Sequence, residues 1–214
     1  MVGKTLLTAM AVIISAVFVV GSWITTGTPN IEFLRFFSLA VFFCSLLLIL
    51  WDQWAWKLRP FQLLPGVPRD VSGTWEATLD SLWIDPETKK SPDPKTVYIV
   101  IRQTSSNASV ILISNESKSK SSIARVIKED GSWLIHYVYT NEPQVDLRAK
   151  SPIHHGSGVL SIVGHPAQRV AGSYWTDRDS KGKLTLERRS TEYAEDFKGG
   201  TDIFTYVKGQ KDSR

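Results

Sequence analysis

The chain has 214 residues, and its 25 basic and 21 acidic side chains give a formal net charge of +4. An excess this small excludes the strongly basic face that is typical of proteins that bind DNA or RNA polymers. The single cysteine, Cys44, excludes an intrachain disulfide and is typical of a protein in a reducing compartment.

Two apolar runs near the N-terminus predict two transmembrane helices. They cover about residues 6–24 and 33–51, and each is long enough to cross a hydrocarbon core of about 30 Å. The short segment 26–31 between them has turn chemistry, so residues 1–56 are predicted to form a two-span transmembrane hairpin. A cleaved signal peptide would account for the first run only, and this run is long for a signal peptide.

The basic residues that flank the hairpin predict its orientation. Lys4 precedes the first run, and Lys57, Arg59 and Arg69 follow the second. Because basic residues near membrane spans are enriched on the cytoplasmic side, both termini and the domain that follows the hairpin are expected in the cytoplasm. The sequence therefore predicts a multi-pass membrane protein.

A change of pattern after the hairpin predicts a linker and then a β-domain. Residues 57–71 are rich in proline and form the predicted linker. Alternation of apolar and polar side chains over residues 72–190 then predicts eight strands, near residues 73–81, 96–105, 108–115, 119–128, 132–141, 154–164, 168–176 and 183–189.

Eight strands with short links favour a closed, antiparallel, up-and-down barrel of the lipocalin-like kind. The Gly73-Thr74-Trp75 start of the first strand is typical of such barrels, in which the tryptophan plugs one end. Residues 191–214 form a C-terminal extension. We expect this extension either to add a ninth strand at 201–208 or to pack on the barrel.

The lengths of the links predict one closed end and one open end. Long links at 82–95 and 142–152 fall at the same end of an up-and-down barrel, and the opposite end has only short turns. The chain enters the first strand at the short-turn end, so the open mouth is expected to face away from the bilayer. Binding residues are often found on long loops held by a rigid scaffold.

Polar side chains replace apolar ones toward the open end of the fifth, sixth and seventh strands, on the faces predicted to point inward. The set is Tyr137, Tyr139, Asn141, His154, Tyr174, Thr176 and Arg178. Aromatic rings stack on bases, amides and hydroxyls bond to base edges or phosphates, and arginine pairs with phosphate, so this set suits a nucleotide. Gly156, Gly158 and Gly172 are expected to leave room for a ligand. The alternative is that these residues form the solvated rim of a barrel, where tyrosines are common. For the third and fourth strands, the sequence does not decide which side chains point inward.

No pattern predicts catalysis. The four histidines lack the spacing of a metal site, and no nucleophile motif or phosphate-binding glycine loop occurs. We therefore expect a protein that is not an enzyme and has no cofactor or metal.

Four ordered motifs, together with two N-terminal spans that lead into a β-rich domain, carry a family resemblance. The motifs are Gly73-Thr74-Trp75-Glu76, Tyr137-Val138-Tyr139-Thr140-Asn141-Glu142-Pro143, His154-His155-Gly156-Ser157 and Gly172-Ser173-Tyr174-Trp175-Thr176-Asp177-Arg178. The chain resembles the SMODS-associated two-transmembrane β-strand-rich effectors. These are membrane effectors of CBASS, the bacterial cyclic-oligonucleotide-based antiphage system.

The resemblance implies a mechanism. A cyclic dinucleotide binds to the cytoplasmic β-barrel, the protein forms homo-oligomers, and the hairpins disrupt the inner membrane and kill the infected cell. It leaves open which cyclic dinucleotide binds, how many chains assemble, and whether the lesion is a pore or a general rupture. Two alternatives remain: a membrane-anchored, lipocalin-like binder of a small molecule, and a β-module that docks a protein partner at the membrane.

Overall fold

A computed structural model describes residues 2–27, 34–84, 88–149 and 151–211 of the chain. The chain divides into two compact units, Met1–Phe61 and Gln62–Arg214.

The first unit is helical. Helix α1 covers Val2–Thr26 and helix α2 covers Leu34–Gln53, and both coincide with the predicted apolar runs. A single 3₁₀ turn at Ala55–Lys57 and the short helix α3, Arg59–Gln62, follow. Within the described ranges, no helix combines the length and the mean hydropathy that crossing a membrane requires. The membrane-spanning role of this unit stays a prediction.

The second unit is a closed barrel of eight antiparallel strands. They are β1 (Gly73–Ser81), β2 (Lys95–Gln103), β3 (Ala108–Ile113), β4 (Ser117–Glu129), β5 (Ser132–Pro143), β6 (His154–Val163), β7 (Arg169–Thr176) and β8 (Lys181–Ser190). Each strand pairs with the next in the sequence, and β8 pairs with β1 to close the barrel. The prediction of an eight-stranded, up-and-down barrel is confirmed.

Trp75 fills the end of the barrel that has the short turns. Its side chain is fully buried, its indole Nε1 donates to the Val71 carbonyl over 2.9 Å, and Arg189 lies over its ring at 5.7 Å. The strand can start beside this tryptophan because Gly73 adopts a φ of +118°, and a Cβ at that position would collide with the Ser190 carbonyl oxygen. The first strand thus begins as a plug for the closed end.

A short segment before β1 is bonded to the same closed end. Gln103 Oε1 accepts from the Val71 amide and its Nε2 donates to the Arg69 carbonyl, both over 3.0 Å. Asp70 Oδ2 lies 2.6 Å from Arg189 Nη2 in an ion pair. The C-terminal part of the predicted linker is therefore an ordered part of the barrel.

An irregularity in β4 decides which side chains of β3 and β4 point inward. Leu112 pairs with Ser119, and both line the interior. The register with β5 then shifts between Ser121 and Ile123, so that Ile123 is exposed and Ala124 is buried in the core. One extra residue reverses which side chains point inward along a strand. The structure thereby shows which side chains of β3 and β4 face the interior, which the sequence does not decide.

The C-terminal extension is a helix, and the alternative of a ninth strand at 201–208 is wrong. Helix α4 covers Phe197–Lys211, and Asp196 caps it by accepting from the Gly199 amide over 2.7 Å. Phe197 and Phe204 are seven residues apart, so they share one face of a helix but would lie on opposite faces of a strand. Only the helix can bury both rings together.

Helix α4 packs on the outer wall of the barrel. Phe204 stacks on Tyr98 with ring centroids 5.8 Å apart and planes at 5°. Arg188 joins the two elements, because it donates to the Phe204 carbonyl and to Glu76 Oε2, each over 2.8 Å. At Gly200 the helix approaches so closely that a Cβ would collide with the ring of Tyr98.

Candidate ligand-binding site

A cavity of about 430 Å³ opens at the end of the barrel that carries the long links. This volume lies in the range of small-molecule sites, about 300–1,000 Å³. Its floor is apolar, with Leu79, Val97, Leu112 and Leu184 among its lining residues. All the predicted site residues line it: Tyr137, Tyr139, Asn141, His154, Tyr174, Thr176 and Arg178. The barrel thus brings the whole set together, while binding of a nucleotide by these residues stays a prediction.

Two tyrosines of β5 lie flat against the neighbouring strand. Tyr137 pairs with Gly158 and Tyr139 with Gly156, and an added Cβ on either glycine would lie 2.5 Å from the hydroxyl oxygen of its tyrosine. The two rings stack with centroids 5.7 Å apart. Gly156 and Gly158 therefore make room for tyrosine rings rather than directly for a ligand, which corrects the interpretation from the sequence.

Two further glycines near the cavity, Gly182 and Gly172, serve different purposes. Tyr174 of β7 lies beside Gly182 of β8, where an added Cβ would be 2.7 Å from its hydroxyl oxygen. Gly172, by contrast, approaches backbone atoms of Val159 and Leu160 on β6, so it serves strand packing and leaves no space for a ligand. Gly182 is a site feature that the sequence analysis missed.

The tyrosine hydroxyls are neutral at physiological pH. Burial, reinforced by the neighbouring tyrosines, raises the pKa of Tyr137 and Tyr139 well above the usual value. Burial also raises the pKa of Tyr174, although a hydrogen bond with Ser81 opposes this shift. The cavity wall therefore offers neutral rings and hydroxyls, which do not repel an anionic ligand.

Asn141 has a fixed orientation at the side of the cavity. Its side chain is buried, and its Oδ1 accepts from the Ser119 hydroxyl over 2.8 Å. Because the amide oxygen is held by Ser119, the amide NH₂ group is the part available to a ligand. Ser119 was missed by the sequence analysis because the inward face of β4 could not be assigned.

Arg178 folds back from the β7–β8 turn onto the β5–β6 link. Its Nη1 donates to Ser151 Oγ over 3.1 Å and to the Pro152 carbonyl over 3.3 Å, and it lies 3.3 Å from His154 Nδ1. Thr176 shapes this turn, because its hydroxyl oxygen accepts from the Arg178 amide over 3.2 Å. The guanidinium is exposed and lies at the cavity mouth, where an anion would approach.

The mouth also contains charges and hydroxyls that the sequence analysis missed. Lys95 Nζ lies 2.9 Å from both carboxylate oxygens of Glu116, and Asp93 is nearby in the lining. Lys95 lies two residues before Val97 on β2 and therefore points to the same inward side, so the alternation of the strand could have identified it. Glu116 lies in a turn, where side chains do not alternate. Serines complete the lining: Ser81, Ser114, Ser117, Ser119, Ser151 and Ser180. Over the described parts of the chain, histidine, cysteine and acidic side chains form no cluster that could hold a metal ion.

Comparison with known proteins relates the sequence of this chain to a family and to a relative. A family model described as "Cap15, cyclic dinucleotide receptor domain" matches residues 67–188, which is more than half of the chain. CD-NTase-associated protein 15 of Staphylococcus schleiferi is 30% identical to the chain over 159 residues, which cover 74% of this chain and 82% of that protein. The family range begins in the segment bonded to the closed end and stops within β8, so it contains the cavity and excludes helix α4.

Proposed function

The chain belongs to the Cap15 cyclic dinucleotide receptor family, and we propose that it acts as a membrane effector of CBASS antiphage defence that is switched on when a cyclic dinucleotide enters the barrel. The observation that carries this proposal is the cavity, in which neutral tyrosines, a buried amide and an arginine converge above an apolar floor. The CBASS assignment is supported by both matches.

Each part of a cyclic dinucleotide finds a suitable group in this cavity. The bases stack on the tyrosines of β5 and β7, because an aromatic ring gains stacking energy from any base. The NH₂ group of Asn141 donates to an acceptor on a base edge, and the Arg178 guanidinium pairs with a phosphate. An apolar small molecule would leave the charges at the mouth without a role, which disfavours the carrier alternative.

For the membrane step, we propose that α1 and α2 form a transmembrane hairpin in the inner membrane, with both termini and the barrel in the cytoplasm. A hairpin of two helices is too small to enclose a pore, so the proposal requires several chains to assemble. A ligand can drive assembly only if it binds more tightly to the assembled state than to the single chain. We propose no catalytic step and no cofactor, because the cyclic dinucleotide serves as the signal.

The outer wall of the barrel carries a surface suited to such assembly. Ile123, Val138 and Trp175 lie in one row across β4, β5 and β7, with Ser157 of β6 between the last two. These three apolar side chains are 66%, 45% and 48% exposed. A row of this kind supports contact with a second copy of the chain, and it equally favours the second candidate function, a module that docks a protein partner.

Calorimetric titration of the full-length chain in lipid nanodiscs with a panel of 3′,5′-linked cyclic dinucleotides tests the receptor role. We expect tight binding of at least one compound, and a loss of about tenfold or more in Arg178→Ala, because a charge-assisted hydrogen bond is removed. Arg169→Ala is the matched control, since Arg169 is exposed on the outer face of β7. If a folded chain binds no compound, the receptor proposal is wrong and the docking module becomes the better explanation.

Chemical crosslinking with and without the bound compound tests the assembly step. We expect larger oligomers only when the compound is present. Identical oligomers under both conditions would refute ligand-driven assembly and leave the binding result untouched.

A further inference from the structure

The cavity mouth carries as many acidic as basic side chains, although an anionic ligand would favour an excess of basic ones. Arg178 and Lys95 contribute positive charge, and Glu116 and Asp93 contribute negative charge. A cyclic dinucleotide carries two phosphodiester groups, each with one negative charge. Arg178 can pair with one of them, while Lys95 is held by a carboxylate when no ligand is bound.

The ion pair of Lys95 and Glu116 joins a flexible side chain to a fixed turn. The Glu116 amide donates to Ser114 Oγ over 3.2 Å, and the Gln144 amide donates to the Glu116 carbonyl over 2.9 Å. The backbone of the turn is thus bonded on both sides. Lys95 is the first residue of β2, and its long stem and ammonium group can move without disturbing the strand. Exchange of partners therefore requires only side-chain motion.

The two cations approach the mouth from separate parts of the rim. Lys95 lies on β2 and Arg178 on the link between β7 and β8, and β1 and the start of β8 lie between them in the barrel. Both side chains line the same cavity, so a ligand that fills the cavity can approach each of them. A single phosphate, in contrast, would leave one of the cations unused.

We propose that Lys95 is a second phosphate-binding residue and that Glu116 masks it until the ligand arrives; this inference rests on the proposed receptor function. On binding, the Lys95 ammonium leaves the Glu116 carboxylate and pairs with a ligand phosphate. The side chains of Lys95 and Glu116 are 48% and 50% exposed, so water solvates the released carboxylate at little cost. Glu116 thereby lowers the affinity for the signal and sets the concentration at which the receptor responds.

Two substitutions with opposite expected effects test whether Glu116 masks Lys95. Each is made in the full-length chain in lipid nanodiscs, which is titrated with the same cyclic dinucleotide panel. Lys95→Ala should weaken binding about tenfold, because a charge-assisted contact to phosphate is lost. Glu116→Gln should strengthen binding about threefold, because an exposed ion pair no longer competes with the ligand. In the Lys95→Ala background, Glu116→Gln should have a much smaller effect.

Salt dependence and matched controls separate a direct contact from a general charge effect. Lys95→Ala should reduce the slope of log Kd against log salt concentration by about one. Lys120→Ala and Glu142→Gln make the same changes of charge on exposed outer-face side chains near the same end of the barrel. Both controls should bind the ligand about as tightly as the unsubstituted chain.

The outcomes distinguish this inference from the proposed function. Binding that depends on Arg178, with Lys95→Ala and Glu116→Gln indistinguishable from their controls, would overturn the mask alone. Weaker binding in Glu116→Gln would also overturn it, because the carboxylate would then support the ligand. A folded chain that binds no compound would overturn both proposals.

Discussion

Gly158→Ala is the substitution that most directly tests how the cavity wall is built. Gly158 lies opposite Tyr137, and an added Cβ would be 2.5 Å from the tyrosine hydroxyl oxygen, against an ordinary contact of 3.4 Å or more. The ring must therefore move by about 0.9 Å, which is the difference between these two distances. The neighbouring Tyr139 ring, stacked at 5.7 Å, restricts this movement on one side.

Two opposing energies decide the result. Gly→Ala restricts the unfolded chain and alone stabilises a protein by about 0.4–1 kcal/mol. Overpacking of a filled core costs about 1–3 kcal/mol. We therefore expect Gly158→Ala to lower the free energy of unfolding by about 1–2 kcal/mol. The displaced ring should also narrow the cavity and weaken ligand binding.

Urea denaturation of a fragment that covers residues 62–214, followed by tryptophan fluorescence, measures the stability. Gly66→Ala is the matched control, since no atom lies within 4 Å of a Cβ added there. The loss of unfolding free energy caused by Gly158→Ala should be smaller in the Tyr137→Leu background, because the clashing ring is absent there. A variant as stable as the control, or a penalty that persists without the ring, would refute this account of the wall.

Three further predictions concern the barrel as a whole. Trp75→Ala should lower the free energy of unfolding by about 3–5 kcal/mol in urea denaturation, because its side chain is fully buried; a loss below about 1 kcal/mol would contradict its role as the plug. Burial raises the pKa of Tyr137 and Tyr139 above the usual 10.0, so these phenols ionise only in the unfolded chain just above that pH. Stability should therefore fall as the pH rises above 10.0, and Tyr137→Phe should flatten this dependence, as urea denaturation across alkaline pH would measure. Burial alone would raise the pKa of Asp70, but hydrogen bonds and the charge of Arg189 outweigh it and lower the pKa below the usual 3.8. The ionised Asp70 thus contributes to the free energy of unfolding at neutral pH, and this contribution is lost as the pH falls through the lowered pKa. If the free energy of unfolding of Asp70→Asn depends on acid pH in the same way as that of the unsubstituted chain, this account is contradicted.

The sequence predicts the barrel well where each strand has one apolar and one polar face. In β5 the alternation from Trp133 to Asn141 is uninterrupted, so its inward side chains are identified correctly. In β4 the start of the strand is polar on both faces, and the irregularity between Ser121 and Ile123 then reverses the parity. Periodicity carries no information at such a position, because the extra residue is fixed by the pairing with β5.

Contacts distant in the sequence explain what else was missed. Gly199 and Gly200 lower the helix propensity of the C-terminal segment, yet the helix forms because it buries Phe204 against Tyr98. Asp196 was the local signal for its start. The pair of Lys95 and Glu116 depends on how the β3–β4 turn folds, so no spacing in the sequence predicts it.

The closure of the barrel restricts how this protein can associate. Because β8 pairs with β1, neither of these two strands offers a free edge of amide and carbonyl groups to another chain within the described residues. Recruitment by strand addition, a common route to β-mediated assembly, is therefore closed to β1 and β8. Association through these two strands must rely on side chains of the outer wall. Such contacts are weak individually and easily changed by single substitutions.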